Sequence, residues 1–514
     1  MMRSLTILKR LLSVALTLAR YDVLFMFERM GIAPGIVLLA RLIPVGRARG
    51  VKKMRPGQRL ARALHDLGPT AIKLGQAMST RPDVMGDEIA EDLSELQDRL
   101  PPFSGKEARR IIEEDLGGKI EDFFSEFDDN AVAAASIAQV HFAKTIDGEE
   151  VAIKVLRPNI RRAFKADFEL METIAEWVER ARPDLARLKM TESVKTLKDT
   201  VRFEMDLRFE AAAADEMREN FKDDDYFYIP EVKWAYCAKR VMVLERIHGL
   251  NVDEPQKLID AGHDPNKILE RASTAFFNMV FRDGFFHADL HPGNMFVLED
   301  GRVAAVDFGI TGRLDHTTQR HLGELLLAFI TRDYKGVADV HFEAGWVPMN
   351  QSVELFTQAA RSIAEPIMGL PQNEISMARL LAQLFEVTEY FSMETQPQLI
   401  QLQKTMLIAE GVGRNLNPNV NMWFLAEPYI EKWMRQNLGP QARVKAVADE
   451  TRDTLLRLPR IVANIEEALD DVTKNGLKLD TGRSNHVSSR LNFSWLGWII
   501  AAGLAVALVV EYLD

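Results

Sequence analysis

The sequence predicts an α+β fold in two lobes, and three observations point to it. Residues 140–155, VHFAKTIDGEEVAIKV, place β-branched runs on either side of an Asp147-Gly148 turn, the signature of a hairpin. Residues 160–220 return to helical periodicity. Residues 285–309, FFHADLHPGNMFVLEDGRVAAVDFG, then read as a loop, a short strand, an Asp300-Gly301 turn and a second strand ahead of a long helical run.

Taken in order, residues 61–126 read as helices broken at Pro101–Pro102. YIPEVKWAY (228–236) and RVMVLERIHG (240–249) read as two further strands, and a helix is expected near 265–281. From about 316 to 480 the pattern is helical, with breaks at Pro348, Pro371 and Pro418. The expected organisation is a basic N-terminal helical segment (1–60), a helical extension (61–125), a first lobe (126–250), a mostly helical second lobe (251–480) and a hydrophobic span (491–512).

Composition is that of a globular protein, 47% apolar and 27% charged, and the lone Cys237 excludes a disulfide framework or a multi-cysteine zinc site. The net charge of −11 conceals an asymmetry: residues 1–62 hold 13 Lys and Arg against Asp22 and Glu28 alone. A basic, apolar head on an acidic body does not fit a nucleic-acid binder, which spreads basic surface over a folded domain. It fits an end that faces anionic lipid.

In the first 20 residues Thr6, Lys9, Arg10, Ser13, Thr17 and Arg20 form one polar stripe on an otherwise apolar helix, suited to a bilayer interface. Packing on the protein's own core is the competing reading. A secretory signal is disfavoured, because no small-residue cleavage site follows. Phe493 to Val510 run 18 residues without a charge, with Trp495 and Trp498 at one edge. That is close to the ~20 residues that cross a bilayer core, although a buried soluble helix also fits. Lys474, Lys478, Arg483 and Arg490 precede the span, which leaves the body on the cytoplasmic side of a bacterial inner membrane. Ala501, Gly503, Ala505 and Ala507 would let two such helices pack, as in a homodimer.

Three clusters carry chemistry. VAIK (151–154) ends in a lysine on the second hairpin strand. HADLHPGN (287–294) sets Asp289 five positions before Asn294, with His287 leading. DFG (307–309) puts Asp307 at a strand end, thirteen positions beyond Asn294. In this order and spacing they match the phosphoryl-transfer site of protein kinases: Lys154 on ATP phosphates, Asp289 as catalytic carboxylate, Asn294 and Asp307 on Mg²⁺. A metal site of His287, Asp289 and His291 is the rival reading. Two departures stand out. AVAAASIAQV (131–140) replaces a glycine-rich loop, and no Ala-Pro-Glu segment follows Gly309, so the platform for a peptide substrate is missing.

Together these residues resemble the UbiB family of atypical, kinase-like proteins tied to ubiquinone biosynthesis. The family's KxGQ motif stands as Lys73, Gly75 and Gln76, its alanine-rich loop starts at Ala133, and its ExD motif is Glu204 and Asp206, with Glu210 in the αC-like position. Residues 396–418 are similar to the family's C-terminal helical part.

The resemblance implies a two-lobed kinase-like core with an added KxGQ helical element over the docking site, and ATP and Mg²⁺ as ligands. Ala133, Ala134, Ala135, Ser136, Ile137, Ala138, Gln139 and Val140 would line the nucleotide and Lys154 would pair with Glu210. Lys73 would reach toward Glu204 and Asp206, although a plain polar helix face also accounts for these residues. It further implies an ATPase that supports handling of polyprenylphenol precursors for membrane-bound ubiquinone enzymes; a true protein or lipid kinase and a nucleotide-binding scaffold are the alternatives. Family members are also labelled 2-polyprenylphenol 6-hydroxylases. The sequence argues against a direct hydroxylase, since GVG at 411–413 lacks the third glycine and the strand context of a flavin site.

Overall fold

The computed structural model describes residues 2–24, 46, 48, 50–79, 86–94, 96, 100–181, 190–366, 383, 386–388, 390–393 and 397–417. The apolar span expected at 493–510 lies outside the described residues; among those described, no helix is long and apolar enough to cross a membrane.

Among the described residues the chain opens with α1 (Met2–Arg20), α2 (Pro56–Leu67), α3 (Pro69–Ser79) and α4 (Asp87–Ser94). Ala15 and Leu18 of α1 are buried with Leu60, Ala63 and Leu64 of α2, Ile72 of α3 and Leu93 of α4. Ala15 and Leu18 of α1 are thus covered by the protein's own helices, while Leu12 on the same helix stays exposed. Burying a leucine or isoleucine fully is worth ~1.5–3 kcal/mol, enough to hold a short amphipathic helix that propensity alone would leave marginal. Gly75 of the KxGQ motif sits where α3 meets this cluster. A Cβ there would come within 2.7 Å of Leu64 and Leu96, so the motif's glycine is a packing requirement.

The first lobe follows. Helix α5 (Gly105–Leu116) is capped by Ser104 and ended by Gly117 in the left-handed region, and it buries Ala108, Ile111 and Ile112. Strands β1 (Phe124–Phe127), β2 (Ala133–Ala134), β3 (Ala138–Thr145) and β4 (Glu150–Leu156) come next. The hairpin between β3 and β4 turns at Gly148, whose φ of +89° suits glycine. Strict alternation on β4 buries Val151, Ile153 and Val155 against Ile111, Ile112 and Phe124 and leaves Lys154 on the opposite face. Helices α6 (Ile160–Ala181), α7 (Met190–Glu204) and α8 (Leu207–Asn220) bear out the helical periodicity at 160–220. Leu207, Ala211, Ala214 and Met217 bury one stripe of α8.

The expected strand at 228–236 is a correction. β5 (Phe227–Tyr228) stops before Pro230, beyond it Val232 makes a single antiparallel bridge to Leu244, and Trp234–Tyr236 form a 3₁₀ turn. Proline brings no N–H to a ladder, which ends the run. Strand β6 (Val241–Glu245) closes the first sheet in the order β1-β3-β4-β6, with β2 on β3. Strand β7 (Gly249–Asn251) starts the second lobe. Helices α9 (Pro255–Asp260) and α10 (Pro265–Phe277) lead, through a π-helical turn at Asn278–Asp283, to β8 (Phe285–His287), β9 (Met295–Leu298), β10 (Val303–Ala305) and β11 (Thr311–Arg313). Beyond lie α11 (His316–Ile330), α12 (Tyr334–Glu343), α13 (Val353–Ala364) and α14 (Pro397–Leu416).

Strands β5-β10-β9-β7 form a second sheet, and β8 pairs with β11 so that the chain after Gly309 folds back onto the strand before Asp289. One buried cluster unites this lobe with α8 and α14, through Leu207, Met217, Phe286, Leu290, Phe308, Leu402 and Leu416.

Gly312 faces the Phe286 ring across the β8–β11 pair, and a Cβ would run into that ring. Gly411, inside α14, has no atom within 4 Å of its would-be Cβ. Gly312→Ala should therefore lower the chemical-denaturation stability by about 1–3 kcal/mol through overpacking. Gly411→Ala should raise it by about 0.5–1 kcal/mol through helix entropy.

Candidate active site

Lys154 leaves the open face of β4 and meets two carboxylates from distant parts of the chain. Its Nζ donates to Glu210 Oε1 at 2.6 Å, from α8, and to Asp307 Oδ1 at 2.8 Å, just past β10. The lysine and Glu210 side chains are 15% and 9% exposed, whereas Asp307 is 44% exposed. Burial works against each charge, and the neighbours decide the outcome. The two carboxylates override burial at Lys154 and hold its ammonium above the usual lysine range. Burial dominates at Glu210 and pushes it up to about 7 despite Lys154. Asp307 is held well below the usual carboxylate range: burial opposes this, and Lys154 prevails. One ammonium thus faces two carboxylates, and the more open one sits on a backbone with φ of +64°, a conformation aspartate tolerates better than most residues.

The HADLHPGN loop is fixed by His287. This imidazole is fully buried. Its Nδ1 accepts from Asp289 N–H at 3.1 Å, so the proton lies on Nε2, which donates to Val306 O at 3.2 Å. Burial lowers its pKa and keeps it neutral. Both ring nitrogens are therefore committed to the backbone, and among the described residues no group of three His, Cys, Asp or Glu could hold a metal. The His287–Asp289–His291 metal reading falls.

Asn294 closes a 3₁₀ turn (Pro292–Asn294) with its Nδ2 donating to Asp289 O at 3.1 Å; that bond assigns the amide and makes Oδ1 the atom available to a cation. Val306 N–H donates to Asn294 O at 2.9 Å, which ties this loop to the strand entering Asp307. Asp289 Oδ1 accepts from Lys404 Nζ of α14 at 3.0 Å, and His291 Nε2 stands 3.9 Å from its Oδ2.

The alanine loop divides. Ala133 is exposed and Ala134 and Ala135 are half-buried, while Ser136, Ala138 and Gln139 are buried. Gln139 is a correction to its expected place on the nucleotide. Its Oε1 accepts from Phe103 N–H at 2.8 Å, its Nε2 donates to Phe103 O at 3.1 Å, and it adjoins His141. Strand alternation turns it inward. Arg157 braces the loop from behind, donating to Ala135 O at 3.0 and 2.8 Å and to Pro101 O at 2.9 Å. Ser136 Oγ is buried with no hydrogen-bond partner among the described residues, which costs ~1–3 kcal/mol.

Lys73 pairs with Glu204 Oε2 at 3.1 Å, both side chains about one-tenth exposed. Asp206 lies elsewhere: it caps α8 and binds the Arg208 guanidinium at 2.9 Å through each oxygen. The helix carrying Lys73 is itself anchored, since Thr70 Oγ1 donates to Asp167 Oδ2 at 2.6 Å and Arg10 Nε donates to Asp167 Oδ1 at 2.7 Å. Sequence reasoning missed Lys404, Arg157 and Asp167, and read Arg10 only as part of a polar stripe. Only a lysine on the helix at 396–418 could have drawn notice.

Residues 95–341 match the ABC1 atypical kinase-like domain and residues 360–421 the UbiB helical domain. A protein from Azotobacter vinelandii named probable protein kinase UbiB is 40% identical over 446 residues, 86% of this chain and 82% of that one. One of the same name from Vibrio cholerae is 43% identical over 434 residues, 84% and 79% of the respective chains. The chain belongs to the UbiB family. A solved structure of the Rv3197–erythromycin complex from Mycobacterium tuberculosis is 26% identical at a TM-score of 0.50, over 71% of this chain and 93% of that one.

For a UbiB-family chain with an atypical kinase-like domain, a nucleotide and a divalent metal are the general expectation. The donor set fits: the amide oxygen of Asn294 and the carboxylate of Asp307 are hard oxygen ligands, as Mg²⁺ requires. Mg²⁺ bound there would neutralise charge on the terminal phosphates.

Glu210 sets a pH dependence in the metal-free protein. Its ordinary value is 4.5 and its folded value about 7, so the folded state holds a proton that the unfolded chain has lost. Stability should fall as pH rises through that window. Thermal midpoints of wild type and Glu210→Gln across that range check this: the variant's profile should be flatter.

Proposed function

We propose that this chain hydrolyses ATP with Mg²⁺ and uses the cycle to give lipophilic polyprenylphenol precursors access to membrane-bound ubiquinone enzymes. The observation that carries the ATP reading is the Lys154–Glu210–Asp307 constellation, closed by 2.6 and 2.8 Å contacts between elements 56 and 153 residues apart. In the reaction, Lys154 would bind phosphate oxygens. Asn294 and Asp307 would hold the metal, and Asp289 would accept the proton of the attacking water. The quinone step rests on family membership. The bilayer placement rests on the uncharged stretch 493–510 and the basic first 62 residues.

A second reading, phosphotransfer to a protein, is favoured by the name probable protein kinase that the relatives bear. Against it stands the segment after Gly309: only six residues separate it from α11, and three of them form β11 on β8. Nothing of that length presents a peptide.

Complementation tests the proposal. In cells whose only copy carries Asp307→Asn or Lys154→Arg, ubiquinone should drop at least about tenfold, as expected for loss of a transition-state contact worth ~1.4 kcal/mol or more. Normal quinone in both strains would remove the catalytic reading. Isothermal calorimetry should show Mg-ATP binding to wild type and its loss in Asp307→Asn. Deleting residues 491–514 should move the protein from the membrane to the soluble fraction.

A further inference from the structure

Among the described residues of the UbiB helical domain, one cation, Lys404, reaches the catalytic loop. Lys404 sits on α14, and its Nζ donates to Asp289 Oδ1 at 3.0 Å, across 115 positions of sequence. Three features set this contact apart from an incidental ion pair. First, both ends are presented by one packed core: Leu402 and Thr405 beside Lys404 are buried, and Leu402, Val412 and Leu416 share a cluster with Ala288 and Leu290, the two neighbours of Asp289. Second, Lys404 is 49% exposed and Asp289 27% exposed, and pairs that open contribute only ~0–1 kcal/mol to stability. Stability alone is a weak reason for the geometry. Third, the ammonium takes Oδ1 and leaves Oδ2 facing His291 Nε2 at 3.9 Å, beyond hydrogen-bond reach. One oxygen is clamped and the other is open to a substrate.

We infer that Lys404 is a positioning residue for phosphoryl transfer: it fixes the Asp289 carboxylate so that Oδ2 receives the proton of the attacking nucleophile. This inference rests on the ATPase reading. In the step it serves, the water oxygen bonds to the γ-phosphorus, the bond to the bridging oxygen of ADP breaks, and the water proton passes to Asp289. The loop itself supplies no permanent cation, since His291 is the only basic side chain between Asp289 and Asn294. The helical domain thereby contributes a residue to the chemistry of the kinase-like core. That accounts for α14 packing against the core cluster instead of standing apart as a separate unit.

Phosphate release from Mg-ATP by the purified full chain, in detergent, tests it. Lys404→Met should lower kcat about tenfold while KM for ATP stays within about twofold, and Lys404→Arg should recover most of the loss. In an Asp289→Asn background, Lys404→Met should cost nothing further, because the two act as a unit. The thermal midpoint should be unchanged in Lys404→Met. Unchanged kcat in Lys404→Met, an arginine variant no better than methionine, or an equal loss in the Asp289→Asn background would each overturn the inference while leaving the ATPase reading standing. A wild-type chain that releases no phosphate overturns both.

Discussion

The shared ammonium of Lys154 is the constraint from which the site's arrangement follows. Three elements built by separate sequence patterns, an alternating strand, a capped helix and a strand end, meet at one nitrogen. Removing one partner of a buried pair costs ~3–5 kcal/mol, because the survivor is left charged and dry. The two carboxylates shift in opposite directions: burial, helped by the Asp307 charge, pushes Glu210 toward its neutral form, and Lys154 keeps Asp307 ionised against burial. The residue kept ionised is also the more open one, at 44%. Asp307 would offer an ionised carboxylate to a divalent cation, and Lys154 would then keep Glu210 and turn toward phosphate.

How much of this was legible depended on distance along the chain. VAIK, HADLHPGN and DFG could be read because each is a short segment whose chemistry is local, and strand alternation alone sends Lys154 away from Val151, Ile153 and Val155. The alanine loop was read as one contiguous stretch on the nucleotide. The structure follows the pleat instead, so that Gln139 turns in to Phe103 while Ala133 stays open. Lys404, Asp167 and Arg157 were not legible. Each is a charged residue on a helix or loop whose pattern is that of a solvated face, and its partner lies 22 to 157 positions away. Periodicity tells which face of a helix is apolar and is silent on what covers it, which is why α1 has two readings; Ala15 and Leu18 lie in a buried cluster with α2, while Leu12 is exposed.

The KxGQ motif shows the same division between chemistry and packing. Its glycine answers to Leu64 and Leu96, whose side chains leave no room for a Cβ, while its lysine answers to Glu204. Glu204 is the last residue of α7, and Asp206, two positions on, caps the helix that carries Glu210. The ExD motif is thus split between two tasks: the glutamate receives the extension, and the aspartate starts α8. A capping aspartate is worth ~1 kcal/mol and fixes where its helix begins. The register of Glu210 against Lys154 is set from that point, four residues downstream.

Arg10 and Lys404 approach the kinase-like core from opposite ends of the described chain, and each closes on a carboxylate of the core. Arg10 meets Asp167, which also holds Thr70 at the head of the KxGQ helix; Lys404 meets Asp289 in the catalytic loop. Neither contact takes part in the sheets or the hydrophobic clusters that build the kinase-like core. They are additions, and both are charge pairs with at least one partner open to solvent, the class of contact that adds least to stability and most to geometry. A fold that spends residues from both its flanks on positioning, at sites where packing already suffices, has flanks that belong to the working of the core.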